Sequence, residues 1–248
     1  MDAALALFAF VPGLALGSFL NVVAARLPER RSVVRPRSAC RTCSTEIAWY
    51  DNVPLVSYLL LRGGCRTCGA RIGLLYPAVE LTTAGLLAGC LVAFGLSLQA
   101  AAAAVFCAAL VVVTATDLTH RIVPNRVVVP AAAVVLALMT AAEPSPEWAI
   151  GAVGASGFLL VAALAYPGGM GMGDVKLALL MGAALGRTVI VALLIGMIAA
   201  LVPSVVLFVR HGARARKMPI PFAPFLALGS VVALFAGHAL VHAYLTLL

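Results

Sequence analysis

Long apolar runs separated by short polar interruptions make up most of this chain. They cover 3–25, 76–96, 98–116, 125–141, 148–166, 175–185, 188–209 and 222–248. Most reach the length of about 18–20 residues that a helix needs to cross a bilayer. The pattern predicts an all-α polytopic membrane protein with about eight transmembrane helices. The run 175–185 is short, about 16 Å of helix against a hydrocarbon core of about 30 Å. Fusing it with the next run would carry Arg210, Arg214, Arg216 and Lys217 to the wrong side of the charge pattern described below, so a break is expected near Gly186 and Arg187. The first run lacks a basic start and a small-residue cleavage site, and arginines follow it. It is read as a retained helix.

Charge sets the orientation. Residues 26–75, 117–124, 167–176 and 210–221, with their helix edges, hold every Lys and Arg except Arg187. The opposite turns carry Asp2, Glu143 and Glu147. Such a bias predicts that the basic loops face the cytoplasm and that the N-terminus is extracytoplasmic. The net charge of +8 is therefore topogenic. No basic stretch is interleaved with aromatics as in single-strand binders, so no nucleic-acid partner is expected. The run 211–217 is expected to touch anionic lipid headgroups.

The composition, 63% hydrophobic and 10% charged, makes each membrane-edge charge informative. Asp174 follows Gly171-Met172-Gly173 and precedes Lys176; Asp117 stands at the end of another apolar run. Counting crossings puts both aspartates on one side of the membrane, near the surface. An intramembrane acid is a functional-site hypothesis by default, and two carboxylates sharing a proton are the machinery of aspartic proteolysis. Gly171 and Gly173 are expected to allow unusual φ values and close approach of a peptide backbone. Lys176 is expected to act on a carboxylate or on substrate, or else to be an edge charge. Membrane carboxylates and broken helices also mark transporters and channels, the competing reading; against it, no internal repeat is evident and both acids sit at one face.

The one long polar loop, 26–75, contains Cys40-Arg-Thr-Cys43 and Cys65-Arg-Thr-Cys68. Two such knuckles offer four thiolates to a tetrahedral, structural zinc ion. Two disulfides are the alternative, disfavoured in a reducing compartment. Gly63, Gly64 and Gly69 are expected to make the turns. Glu80, one turn into the second apolar run, is expected either to pair with an arginine such as Arg71, or to orient a substrate amine or serve methyl transfer. Asn21 suits an interhelical hydrogen bond, His120 a surface position. His238 and His242 are spaced for a metal pair but lack a third ligand. The expected organisation is a first helix (1–25), a cytoplasmic zinc loop (26–75) and a membrane-embedded domain (76–248).

Taken together, these residues resemble a known family. Gly17-Ser-Phe-Leu-Asn-Val-Val23, Arg26-Leu-Pro28, the four cysteines, Asp51-Asn-Val-Pro-Leu-Val-Ser-Tyr58, Tyr76-Pro-Ala-Val-Glu-Leu81, Asp117 and Gly171-Met-Gly-Asp-Val-Lys176 occur in the order found in the bifunctional type IV prepilin peptidases of bacteria. Arg41 departs from the proline usual after the first cysteine. The resemblance implies a GxGD-type aspartic endopeptidase of the cytoplasmic (inner) membrane. Its substrates would be type IV prepilins or type II secretion pseudopilins, cut after a glycine at the cytoplasmic face. It would then methylate the new N-terminus with S-adenosylmethionine, with Asp117 and Asp174 as the catalytic pair. No glycine-rich nucleotide motif marks a site for that cosubstrate; the 26–75 loop is its expected region.

Overall fold

The structure, a computed structural model, describes residues 2–166, 170–212, 214, 218 and 220–246. The described residues form helices, turns and two isolated β-bridges, with no strand. The helices are α1 (Asp2–Arg26), α2 (Val56–Leu60), α3 (Leu75–Phe94), α4 (Leu98–His120), α5 (Asn125–Ala142), α6 (Glu147–Ala165), α7 (Met172–Leu185), α8 (Val189–His211) and α9 (Ala223–Thr246). All but α2 fall on the predicted apolar runs, usually within two residues at each end. Among the described residues, seven stretches are long and apolar enough to cross a membrane; one of them, Met172–His211, contains both α7 and α8.

Two compact units divide the chain, 1–96 and 97–248. In the first, α1 and α3 pack antiparallel. A Cβ on Gly13 would lie 2.6 Å from the Ala84 Cα, and one on Gly17 2.6 Å from the Glu80 Cα. One turn further on, Asn21 donates from Nδ2 to the Tyr76 carbonyl at 3.0 Å. Small residues let two membrane helices close to backbone contact, and the buried Asn then finds an acceptor on its neighbour. The loop between these helices carries the cysteines.

The second unit is built around α7. Leu177, Leu180 and Met181 of this helix are fully buried, with Phe106 and Leu110 of α4 and Leu226 of α9 in the same core. Gly151 of α6 meets Gly182 of α7 at backbone distance, again a small-residue crossing. At one end of that pair Glu147 receives the Arg187 backbone N–H at 3.0 Å and its Nε at 3.1 Å. The predicted break is real: Gly186 has φ +53° and ψ −129°, a conformation suited to glycine. After a short 3-10 turn, whose Thr188 meets Gly237 of α9, α8 begins and packs on α9 with Ala192 against Gly229. Helix α7, 14 residues long, spans only about 21 Å. The basic run is described only at His211, Gly212 and Arg214; Ala213, Ala215, Arg216 and Lys217, and with them most of the expected headgroup contact, lie outside the described residues.

Candidate active site

Asp117 and Asp174 come from opposite chain directions. Helix α4 continues one turn past the expected end and stops at His120, where Arg121 takes a left-handed φ of +55° and donates its N–H to the Asp117 carbonyl at 3.0 Å. Asp117 thus occupies the last turn of a helix and is buried. Its Oδ2 accepts the N–H of Ala223, the first residue of α9, at 3.1 Å. The first N–H groups of a helix have no partner within it and carry the positive end of its dipole, so they favour an anion. Asp174 stands in the first turn of α7, and Gly173 beside it lies against Val123, in the turn that follows Asp117's helix. The last turn of α4 and the first turn of α7, which carry the two aspartates, are thus brought to one place.

The two motif glycines have different roles, and neither supplies an unusual φ. Gly173 is required by packing: a Cβ there would lie 2.7 Å from the Val123 Cβ. Val123 belongs to the turn that joins Asp117's helix to α5, so this contact lets that turn lie on the first turn of α7. Gly171, at φ −80° and ψ 145°, is exposed and beside the Asp174 carboxylate. It leaves open surface there. Lys176 makes no ion pair with Asp174 among the described residues; its Nζ donates to Asn125 Oδ1 at 3.0 Å. Asn125 opens α5 immediately after Pro124, a polar residue at the start of an apolar run, and that is the one local signal that marks it. The Ala223 donor has no such signal. His120 is exposed, as expected.

In the first unit the two cysteine knuckles are built alike. An isolated bridge closes each one, Ala39 with Glu46 and Gly64 with Arg71, and a left-handed residue follows each second cysteine, Ser44 at φ +59° and Gly69 at +69°. Gly63, at +69°, makes a turn as expected, whereas Gly64 does not need a positive φ. None of the four cysteines is in a disulfide. All four sulfurs lie within 4.8 Å of one another, with Cys40–Cys68 at 3.7 Å and Cys43–Cys65 at 4.0 Å. A tetrahedron of zinc–sulfur bonds of about 2.3 Å requires sulfur separations of about 3.8 Å, so the four residues fit a zinc ion.

The thiol electrostatics agree. Backbone N–H groups of Cys43 and Thr42 hold the Cys40 thiol below its ordinary value, and those of Cys68 and Thr67 do the same for Cys65. The Ala70 N–H acts to lower Cys68, but the surrounding thiols and burial push it up to about 11. Four sulfurs this close do not all ionise without a cation among them. No His, including His238 and His242, belongs to a metal-competent cluster among the described residues.

The knuckles are tied to the rest of their unit. Arg66, inside the second knuckle, donates to both Asp51 oxygens at 2.8 and 2.6 Å and lies over the Tyr50 ring. The guanidinium holds the Asp51 carboxyl below the usual range. Glu80 is buried and accepts the Leu55 N–H at 2.9 Å. Among the described residues it pairs with no arginine. Its partner is a backbone group 25 residues away, which no side-chain pattern announces.

Residues 11–94 match the model of the bacterial peptidase A24 N-terminal domain, and residues 104–205 match that of the type IV leader peptidase family. A prepilin leader peptidase/N-methyltransferase of Bacillus subtilis is 35% identical over 249 residues, covering 95% of this chain and 96% of its own. One of Myxococcus xanthus is 42% identical over 187 residues, covering 72% and 55%. One of Pseudomonas aeruginosa is 35% identical over 270 residues, covering 94% and 91%. No solved structure matches the chain. With relatives this similar along nearly its whole length, and with the motif aspartates brought together at the ends of α4 and α7, the chain belongs to the type IV leader peptidase family.

Proposed function

We propose that the chain cuts the leader from type IV prepilins or type II secretion pseudopilins after a glycine at the cytoplasmic membrane face, with Asp117 and Asp174 as the catalytic pair. The observation that carries this reading is their juxtaposition at two helix ends, with an α9 N–H on one of them. That donor suits an ionised Asp117, so Asp117 is the base and Asp174 the acid. Asp117 takes a proton from the water that attacks the scissile carbonyl. Asp174 gives its proton to the carbonyl oxygen, and collapse of the tetrahedral intermediate passes a proton to the leaving nitrogen. One shared proton is required, because two close carboxylates resist joint ionisation.

The names of the relatives support a second activity, methylation of the new N-terminal amine. S-adenosylmethionine supplies the methyl group in such a transfer. The 26–75 loop is the proposed region, being the longest polar stretch in the chain. Cys40, Cys43, Cys65 and Cys68 would hold one zinc ion; four thiolates leave no open position, so its role is structural. The protein sits in the cytoplasmic membrane with its N-terminus outside, contacting lipid and binding no nucleic acid. The peptidase region is 76–248.

The test is incubation of the purified protein with a prepilin, with and without S-adenosylmethionine, followed by intact-mass analysis. Asp117→Asn and Asp174→Asn each abolish cleavage on this reading, and Asp174→Asn still methylates a pre-cut pilin. Near-normal cleavage by either variant would refute the catalytic assignment. A folded, zinc-loaded Asp174→Asn protein unable to methylate pre-cut pilin would show that the two activities share one site.

A further inference from the structure

The Glu80–Leu55 hydrogen bond sets the depth of α2. Glu80 stands five residues into α3, about 8 Å along its axis, and α3 is long and apolar enough to span the membrane. Its carboxylate holds the N–H of Leu55, the residue immediately before α2. Helix α2 therefore starts level with the second turn of α3, about 8 Å in from the end of a helix long enough to span, within the depth of about 5–10 Å at which interfacial helices lie. At that level Val56, Leu59 and Leu60 are 52%, 72% and 77% exposed. Their spacing of i, i+3 and i+4 puts them on one face.

The opposite side of α2 is committed to the protein. Ser57 is buried, donates to the Tyr50 carbonyl and accepts the Val53 N–H. These bonds hold the Trp49–Asn52 turn against α2, and that turn presents Trp49, 82% exposed. Charge points to what covers this face. Residues 26–75 contain nine arginines against Glu29, Glu46 and Asp51; Arg62, two residues beyond α2, and Arg71 are exposed. Exposed tryptophan, leucine and arginine on one short helix and the turn tied to it are the composition of an interfacial anchor on anionic lipid.

We propose that Val56, Leu59, Leu60 and Trp49 seat in the interfacial zone of an anionic bilayer and hold the cysteine module down on the membrane surface. This contact uses residues other than the basic run 211–217, and it stands whether or not the aspartates are catalytic. It makes the module a surface-bound element, positioned to meet a chain emerging from the same bilayer.

The chain has two tryptophans, Trp49 and Trp148, so Trp148→Phe leaves Trp49 as the sole probe. The full-length variant is placed in nanodiscs of phosphatidylcholine and phosphatidylglycerol, with or without bromines on the acyl chains. On this proposal bromolipid removes roughly half or more of the Trp49 emission, as an interfacial indole requires. Adding Leu59→Asp and Leu60→Asp moves the emission to the red and opens Trp49 to aqueous iodide, with α1 and α3 still inserted. Emission unaffected by bromolipid, and equally iodide-sensitive with and without the two aspartates, would overturn the proposal. So would protection of Trp49 from iodide by added prepilin while bromolipid has no effect, which would make the face a protein-docking surface. Equal quenching in phosphatidylcholine alone would overturn the assignment to anionic lipid.

Discussion

Lys176 donates to Asn125 at 3.0 Å and so joins the second turn of α7 to the first residue of α5. The bond brackets Asp174, two residues before Lys176, and it closes the turn that leads away from Asp117. The ammonium is thereby committed to holding two helix starts together.

If that is its work, Lys176 and Asn125 act as one unit. Lys176→Met, which keeps most of the stem, and Asn125→Ala are each expected to slow prepilin cleavage several-fold. The double variant is expected to be little worse than either single one, because partners in one hydrogen bond are not additive. The check is a double-mutant cycle on initial cleavage rates. A severe Lys176→Met effect beside a silent Asn125→Ala would mean that the ammonium meets substrate directly.

Gly173 makes a second prediction. A methyl group there meets Val123 at 2.7 Å, and overpacking of this kind costs about 1–3 kcal/mol. The strain falls on the Arg121–Pro124 turn, which joins Asp117's helix to α5. Gly173→Ala is expected to lower cleavage strongly, and adding Val123→Ala to restore much of it. Gly171→Ala has ordinary contact space, 3.5 Å from the Asp174 Oδ2. It is expected to leave expression and thermal stability unchanged, and any loss of cleavage to appear mainly as weaker substrate binding.

Metal content tests the cysteine module. Purified protein is expected to hold one zinc per chain by elemental analysis. Cys40→Ser or Cys68→Ser is expected to lower that content and to raise protease sensitivity between residues 26 and 75, because metal binding and folding of such a module are linked. Disulfide-linked peptides from alkylated protein would replace zinc with a covalent framework.

Glu80 separates charge from hydrogen bonding. Glu80→Gln keeps an oxygen for the Leu55 N–H and is expected to behave nearly as the parent. Glu80→Leu leaves that N–H without a partner, at a cost of about 1–3 kcal/mol, and is expected to loosen residues 49–60 in hydrogen–deuterium exchange. A Glu80→Gln variant as defective as Glu80→Leu would show that the negative charge itself is used, as in binding a substrate amine.

The helices, the break at Gly186, the four-thiol module and the shared side of the two aspartates can all be read along the chain. Each follows from a local property: the length of an apolar run, the spacing of cysteines, or a count of crossings and charges. What each polar group touches emerges only once the helices have packed. Asp117 meets the N–H of Ala223, 106 residues away; Lys176 takes Asn125 in place of the carboxylate two residues before it; Glu80 holds a backbone N–H and no arginine. Side-chain partners are chosen by where helix ends meet after packing. An unpaired N–H or carboxylate at a membrane edge binds the nearest complementary group in space, and the small-residue crossings that set those distances bring together segments with no local relation in the chain.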